Sequence, residues 1–431
     1  MVKIDWYDQF VDPKYEPIKD DLIALFYFEP PEGMSLTESA GRIASESSTG
    51  TWTTLSKLPP RMKRLQATAF DVNDNHLKVA YPLDLWESGN VCQLLSGIAG
   101  NIFGMKGVKN LRLIDVRLPA KYIKGFKGPN HSIKGIRRMM RIRKRPLTGA
   151  VPKPKIGFSA LEHAKVGYET WMGGFDFVKD DENLSSLSFN RFDKRVMFLA
   201  RFRDRAEART GEIKDAFVNI TADVEEMKRR ADLLHEHGFR YAMVDVVIVG
   251  FAGVQTIREH MTDLGMAIHA HRAMHAAFDR NPRHGISMQF LAKIMRLIGV
   301  NQIHSGTAVG KLVGDREEVS SIADVLREKL TPARDNILLE QNWGPIKSAF
   351  PVSSGGLHPG LVHDVMDIYG DELVLLVSGG IHGHPKGTRS GAKAAMQAIE
   401  AHMEGETLEE KAKRAKELRQ ALEKWGHHRP K

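Results

Sequence analysis

Short apolar runs alternate with charged, helix-like segments along the chain from about Arg145 onwards. One helical stretch, DVEEMKRRADLLHEHG, ends at Gly238, a residue type that often caps helix C-termini. Eight strand-then-helix units in roughly 270 residues predict a TIM (β/α)8 barrel, while the alternative, a doubly wound sheet, gives no reason for the number eight. The eight strand candidates are LTGAVPKPK, GFDFVKDD, AFVNITA, YAMVDVVIVG, MAIHAHR, NQIHSG, AFPVSSGG and LVLLVSGG.

The first part of the chain mixes strands and helices in another order. LIALFYFEP and HLKVAYPLDL are typical of strands, and NVCQLLSGIAGNIFG of a helix. Ser35, with Glu38 three residues later, predicts the start of a further helix. The segment ETLEEKAKRAKELRQALEKWG predicts one charged helix near the C-terminus. We therefore expect an α/β protein with an N-terminal α+β domain over 1–125, a barrel over 126–410 and a helical tail over 411–431.

Composition narrows the classes of protein. The length of 431 residues suits two domains, and the single cysteine, Cys92, excludes an internal disulfide framework and a four-cysteine zinc site. The first residues, MVKIDWYDQFVD, lack the apolar region of a signal peptide. The most apolar stretch, near 241–254, contains Asp245 and is too short to cross a bilayer. We expect a cytoplasmic protein that has no membrane partner.

The net charge of +9 favours anionic partners. Much of the excess lies in the segment from Lys121 to Pro146, which we interpret as a solvated basic connector with one short helix. A nucleic-acid-binding surface is the alternative for this segment. Only Tyr122 and Phe126 are interleaved aromatics, and no nucleic-acid-binding motif accompanies them, so we expect no nucleic-acid partner.

Unusual polar residues follow most of the predicted barrel strands, where the active residues of TIM barrels lie. This recurrence favours a functional site over isolated structural roles. The residues concerned are Lys153 and Lys155; Lys179, Asp181 and Glu182; His269, His271 and Arg272; His304 and Ser305; Ser353 to Gly356; and Ser378 to Gly380.

The stretch GGFDFVKDDE places one lysine and three acids at the end of a buried strand. Alternate strand residues share a face, so Lys179 and Asp181 point the same way and Glu182 joins them if the strand bends. Carboxylates suit Mg²⁺, and a carbamate formed from Lys179 and CO₂ would supply a third anionic group. The alternative is an ordinary ion pair between Lys179 and Asp181 or Glu182.

Three further motifs indicate anion binding and proton transfer. HAHR puts two histidines on one strand face, as in zinc sites or proton shuttles, and Arg272 suits a phosphate. HSGTAVGKL lacks the P-loop spacing and predicts a mobile loop that carries Lys311. The turns SGGLHPG and SGGIHGHP are typical of backbone phosphate cradles, so a substrate with two phosphates is expected.

Five motifs together resemble the large subunit of ribulose-1,5-bisphosphate carboxylase/oxygenase (Rubisco) over nearly the whole chain: ESSTGTW, KPKIGFS, GGFDFVKDDE, HAHRAMHAAFDR and HSGTAVGKL. The short length and the wording VPKPK are similar to the archaeal form III branch. The resemblance implies a ferredoxin-like N-terminal domain and a Mg²⁺-dependent reaction of ribulose 1,5-bisphosphate with CO₂ or O₂. Lys179 would be the carbamylated lysine that binds Mg²⁺ with Asp181 and Glu182 and takes the substrate C3 proton.

The resemblance implies other roles residue by residue. Lys153 would protonate the product, His271 would assist proton transfer, and Lys311 would stabilise the new carboxylate. Of the substrate-binding residues, Arg272, His304 and Ser354 would hold one phosphate and Thr51, Trp52, Gly356 and Gly379 the other. The implied substrate-binding set is Glu46, Thr51, Trp52, Asn101, Lys155, Arg272, His304, Ser354, Gly355, Gly356, Ser378 and Gly379.

The resemblance also bears on assembly and pathway. Glu46 and Asn101 match residues that reach into the active site of a partner subunit, which implies a homodimer or a ring of dimers without a small subunit. The archaeal branch implies salvage of nucleotide-derived ribose. Leu376 and Ser378 depart from the usual Gln-x-Gly-Gly-Gly, and we expect an altered phosphate contact there.

Two other enzyme classes remain open at this stage. A Rubisco-like enolase or isomerase of another sugar phosphate would stop at enolisation. An amidohydrolase-type barrel also combines HxH with a carbamylated lysine, but its HxH ends the first strand, whereas here the motif ends the fifth. Zinc bound by His269 and His271 would favour that second class.

Overall fold

A computed structural model describes residues 5–53, 57, 59–310 and 316–429. None of the helices within these ranges has the length and apolar character needed to span a membrane. The strands are β1 (Leu22–Glu29), β2 (Thr68–Asn73), β3 (His76–Tyr81), β4 (Asn110–Arg117), β5 (Leu147–Ala150), β6 (Phe177–Lys179), β7 (Asp215–Phe217), β8 (Tyr241–Asp245), β9 (Ala267–His271), β10 (Gly285–Ile286), β11 (Gln302–His304), β12 (Leu330–Thr331), β13 (Gln341–Asn342), β14 (Phe350–Ser354) and β15 (Val374–Leu376).

The helices alternate with these strands along the second half of the chain. They are α1 (Leu36–Glu46), α2 (Val91–Ile98), α3 (Ala120–Ile123), α4 (Ile133–Met140), α5 (Ala160–Met172), α6 (Phe192–Thr210), α7 (Val224–Glu236), α8 (Val246–Val249), α9 (Phe251–Asp263), α10 (Ala276–Asp279), α11 (Met288–Ile298), α12 (Arg316–Arg327), α13 (Val362–Tyr369), α14 (Gly379–His382), α15 (Thr388–Glu404), α16 (Leu408–Ala412) and α17 (Lys416–Trp425). Short 3₁₀ helices occupy Asp5–Phe10, Pro60–Leu65, Leu83–Leu85, Asn101–Gly104 and Pro359–Leu361.

The first of two compact units comprises the described residues within 1–128, 274–298 and 328–346. Its five-stranded sheet has the order β10-β4-β1-β3-β2, antiparallel except where β10 runs parallel to β4. The predicted start of α1 is confirmed, because Ser35 accepts a hydrogen bond from the Glu38 N–H. A fully buried ion pair joins α11 to β4, with Lys293 Nζ 2.6 Å from Asp115 Oδ1.

The second unit, formed by residues 129–273, 299–327 and 347–431 where described, contains the predicted barrel. Its eight strands are parallel, in the order β7-β6-β5-β15-β14-β11-β9-β8. A bridge between Asn219 and Met243 joins β7 to β8 and completes the ring. Each of the eight predicted apolar runs supplies one strand, so the predicted fold class is confirmed. The strand C-termini therefore gather at one end of the barrel.

Apolar side chains from the barrel strands and from α4 form one buried cluster. Phe177 and Phe217 stack with ring centroids 4.2 Å apart, and Tyr241 packs edge-on against both rings. Ile133 and Ile136 of α4 belong to the same buried cluster. The prediction of one short helix in the basic segment was wrong, because this segment contains both α4 and most of α3.

The predicted single C-terminal helix is two helices, α16 and α17, separated at residues 413–415. Leu408, Ala412, Ala415 and Leu418 all remain in one buried cluster across the break. Apolar side chains on both sides of the break thus pack into the same core, which a pattern of charges at helical spacing does not indicate.

Candidate active site

Lys179 ends β6 with only 1% of its surface exposed. Its Nζ donates a hydrogen bond of 2.9 Å to the backbone carbonyl of Asp180, rather than to the carboxylate of Asp181 or Glu182. Burial lowers the pKa of Lys179 below its ordinary value, although the charges of Asp245, Glu182, Asp181 and Asp180 act in the opposite direction. Deprotonation of Lys179 to the neutral amine therefore costs less free energy than in an exposed lysine.

Asp180 faces away from the strand end and holds the turn in place. Its Oδ2 lies 3.0 Å from Arg195 Nε and accepts the backbone N–H of Asn219, and its Oδ1 lies 3.0 Å from His163 Nε2. Burial raises the pKa of Asp180, but the charge of Arg195 and the contact with His163 outweigh it, so the pKa is lowered. This buried carboxylate is therefore charged and ties the turn after β6 to Arg195, His163 and Asn219.

Asp181 and Glu182 lie next to the two lysines that follow β5. Lys153 Nζ is 3.7 Å from Asp181 Oδ2. Lys155 Nζ is 4.0 Å from Asp181 Oδ1 and 3.9 Å from Glu182 Oε1. Asp181 also accepts hydrogen bonds from the backbone and side chain of Asn183. The residues predicted after the first two barrel strands thus form one cluster of charges.

His271, at the end of β9, is oriented by a carboxylate. Its Nδ1 lies 2.8 Å from Asp245 Oδ1, and its Nε2 lies 3.8 Å from Glu182 Oε2. Burial and the Lys179 charge lower the pKa of His271, while Asp245 opposes the shift. A neutral imidazole whose Nδ1–H is held by Asp245 presents Nε2 towards the carboxylates, where it can exchange a proton.

The other histidines form a buried chain that leads to a predicted phosphate ligand. Gln302 Nε2 lies 2.7 Å from His269 Nδ1, His269 Nε2 lies 3.0 Å from His304 Nε2, and His304 Nδ1 lies 2.7 Å from Ser354 Oγ. Burial holds the pKa values of His269 and His304 well below their ordinary value. Both rings are therefore neutral at neutral pH, with one N–H each.

The glycine-rich turns after β14 and β15 contain positions where a side chain would be strained or would not fit. Gly355 and Gly356 have φ values of 111° and 76°, which favour glycine. A Cβ at Gly380 would lie 2.4 Å from the Cα of His358. The hydroxyl of Ser378 accepts the backbone N–H of Val151 at 3.0 Å, so its side chain is hydrogen-bonded to the residue that follows β5.

The C-terminal helix α17 supports both turns. Lys424 Nζ donates to the carbonyl of Gly383 at 2.6 Å, in the loop that follows α14. The Trp425 ring stacks on the imidazole of His358, whose Nε2 donates to the carbonyl of His428. The helix α17 thereby contacts both of the glycine-rich segments that are predicted to bind phosphate.

Other predicted residues lie elsewhere in the chain or outside its described part. Glu46, Thr51, Trp52 and Asn101 belong to the first unit, where Trp52 is 79% exposed. Lys311 lies outside the described residues. The barrel unit brings together the remaining predicted residues, at its strand ends: Lys153, Lys155, Lys179, Asp181, Glu182, His271, Arg272, His304, Ser354, Gly355, Gly356, Ser378 and Gly379.

Sequence reasoning missed three side chains of the site. Asp245 is a charged residue in an otherwise apolar strand segment, a signal that could have identified it. Gln302 gave no such signal, because its strand, QIH, has Ile303 as its single apolar residue. Arg195 lies within the charged helix α6 and gave no such signal. Among the described residues, no three His, Cys, Asp or Glu side chains form a group suited to a metal ion, and His269 and His271 bind other partners instead of sharing one.

Comparisons with known proteins agree with this architecture. A family model for the ribulose bisphosphate carboxylase large chain, catalytic domain, matches residues 132–425, and one for the N-terminal domain matches residues 9–122. Proteins named ribulose bisphosphate carboxylase from Pyrococcus abyssi and Pyrococcus furiosus are 53% and 52% identical, covering 100% of this chain and 99% and 100% of their own lengths.

Solved structures give the same result. The octameric Rubisco of Pyrococcus horikoshii, in complex with sulfate, superimposes with a TM-score of 0.91 at 50% identity and covers 99% of each chain. A dimeric archaeal Rubisco from Hyperthermus butylicus has a TM-score of 0.93 at 44% identity, covering 98% of this chain and 100% of that chain.

Proposed function

Because this chain belongs to the ribulose bisphosphate carboxylase large-chain family and is a carboxylase, we propose that it uses Mg²⁺ and a carbamate on Lys179. The observation that carries the proposal is the burial of Lys179 beside Asp181 and Glu182. The ammonium first loses one proton; CO₂ then adds to the neutral amine, an N–C bond forms and a second proton leaves, so a cation becomes an oxygen anion. The lowered pKa of Lys179 favours this step, since only the neutral amine has a free electron pair.

The carboxylates fit Mg²⁺, which prefers oxygen donors and is held by few protein ligands. Asp181, Glu182 and the carbamate of Lys179 would provide three anionic groups from one strand end. Bound Mg²⁺ supplies Lewis-acid polarisation of the substrate carbonyl. The charges of Lys153 and Lys155, about 4 Å from these carboxylates, are placed to attract an anionic substrate before the reaction begins.

The proposed substrates are ribulose 1,5-bisphosphate with CO₂ or, in oxygenation, O₂. Carboxylation at C2 followed by hydration and C2–C3 cleavage yields two molecules of 3-phosphoglycerate. The Lys179 carbamate would take the C3 proton, His271 would move protons with Asp245 behind it, and Lys153 would protonate the final carbanion. Arg272, His304 and Ser354 would hold one phosphate; Gly356, Gly379, Thr51 and Trp52 would hold the other.

We also propose a homodimer or a ring of dimers, in which Glu46 and Asn101 serve the site of a neighbouring subunit. The dimeric and octameric forms of the solved archaeal relatives support such an assembly. A role in cytoplasmic salvage of nucleotide-derived ribose is proposed from the resemblance of the sequence to the archaeal form III branch.

The decisive experiment supplies Mg²⁺, ¹⁴C-bicarbonate and ribulose 1,5-bisphosphate and measures acid-stable label in 3-phosphoglycerate. Lys179→Arg should abolish incorporation, while Lys214→Arg, a matched change at another fully buried lysine, should retain it. A ¹³C carbamate resonance should appear in the unsubstituted protein and be missing in K179R. Incorporation at an undiminished rate in K179R contradicts the proposal. Enolisation without label would indicate the Rubisco-like alternative.

A further inference from the structure

A row of hydrogen bonds runs from Gln302 through His269 and His304 to Ser354. The orientation of the Gln302 amide determines which atom donates in each of them. Gln302 Nε2 is a donor, so His269 Nδ1 must accept. A neutral His269 then carries its proton on Nε2 and donates to His304 Nε2. His304 in turn carries its proton on Nδ1 and donates to Ser354 Oγ. The orientation of the Gln302 amide therefore determines which ring nitrogens of His269 and His304 carry a proton.

The packing of His269 and Gln302 stabilises this arrangement of hydrogen bonds. His269 is fully buried and stacks on Phe217 with centroids 4.2 Å apart and planes 4° apart, so its ring is held in place. Gln302 is also fully buried, and its Oε1 has no hydrogen-bond partner among the described residues. Turning the amide over would leave its nitrogen without an acceptor instead. Buried unpaired N–H groups are rarer than unpaired carbonyl oxygens, which favours the observed orientation.

We infer that Gln302 is a positioning residue, which fixes the His269 and His304 tautomers so that the Ser354 hydroxyl is left to donate its hydrogen to a bound phosphate. The inference rests on the proposed function, because it takes Ser354 as a phosphate ligand. Ser354 accepts from His304 on one side, and its own hydrogen is then free to point at an anion. With the chain reversed, that hydrogen would be spent on His304, and the hydroxyl would present a lone pair to the phosphate.

Neutron diffraction from a deuterated crystal tests the direction without turnover. Deuterium is expected on His269 Nε2 and His304 Nδ1 and not on the other two ring nitrogens. The reverse arrangement, or doubly protonated rings, overturns the inference. Because hydrogen positions do not depend on catalysis, an inactive protein with the expected deuterium pattern would sink the proposed function alone.

Kinetics provide the second test. Gln302→Met removes the donor at nearly constant volume and should raise the KM for ribulose bisphosphate about tenfold, with a smaller change in kcat. Ser354→Ala should add little to Q302M, since the hydroxyl has already lost its orientation. Gln289→Met, at another buried glutamine with no link to the histidines, is the control and should leave KM unchanged. An unchanged KM in a folded Q302M, or full additivity with S354A, contradicts the inference.

Discussion

Arg195 is the residue whose loss should most disturb the turn that carries the acidic residues. Its side chain is fully buried, with Nε donating to Asp180, Nη1 to the backbone and side chain of Asn190, and Nη2 to the Ser185 carbonyl. Arg195→Met keeps much of the apolar volume and removes all four hydrogen bonds. The Asp180 carboxylate is then buried without its guanidinium partner.

Breaking a buried ion pair by removing one partner costs about 3–5 kcal/mol, and we expect R195M to lower the free energy of unfolding by that amount. The penalty should depend on pH. In the native protein the folded pKa of Asp180 is lowered, chiefly by Arg195 acting against burial, so this pairing stabilises the fold above the unfolded pKa. Without Arg195, burial raises the folded pKa. The deficit of R195M should therefore shrink as the pH falls and Asp180 takes up a proton.

Urea unfolding at about pH 8 and about pH 5 measures both effects. Arg229→Met is the matched control, because Arg229 is half exposed in its pairs with Asp193 and Glu226 and should contribute less than about 1 kcal/mol. The double variant D180N/R195M should recover part of the loss. A cost for R195M no larger than that of R229M, or a deficit that grows towards pH 5, would refute the reasoning.

Three further outcomes are expected. Lys293→Met leaves the fully buried Asp115 without its ammonium and should cost about 3–5 kcal/mol; an unchanged urea midpoint would contradict this. Glu409→Gln removes the carboxylate that raises the pKa of His427, a contribution present below the ordinary histidine pKa and lost as the pH rises through the folded value. Its thermal midpoint should therefore fall below that of the parent at about pH 6 but not at about pH 9, and equal differences at both would argue against the pair. Ser378→Ala removes a hydroxyl that accepts a backbone N–H and should cost about 1 kcal/mol in the same unfolding assay.

The barrel was predictable because parallel strands buried on both faces are written as continuous apolar runs. Lys179, Asp181 and Glu182 were identified because burying charges at the end of such a run costs free energy unless they are paired or bind a metal. The two-residue strand β10 was not predictable, since it exists only through its pairing with β4. Gln302 was passed over for a related reason: its amide acquires meaning only when folding brings His269 alongside it.

Residues that affect substrate affinity in a barrel enzyme need not lie close to the reacting atoms. Through the contacts of Lys424 with Gly383 and of Trp425 with His358, α17 supports the two turns that are proposed to bind phosphate, although this helix is not part of the strand ends. Mutant libraries confined to the strand ends would overlook it. If those turns hold the bisphosphate as proposed, substitutions along α17 offer a way to raise or lower substrate affinity while every residue that would touch the substrate stays the same.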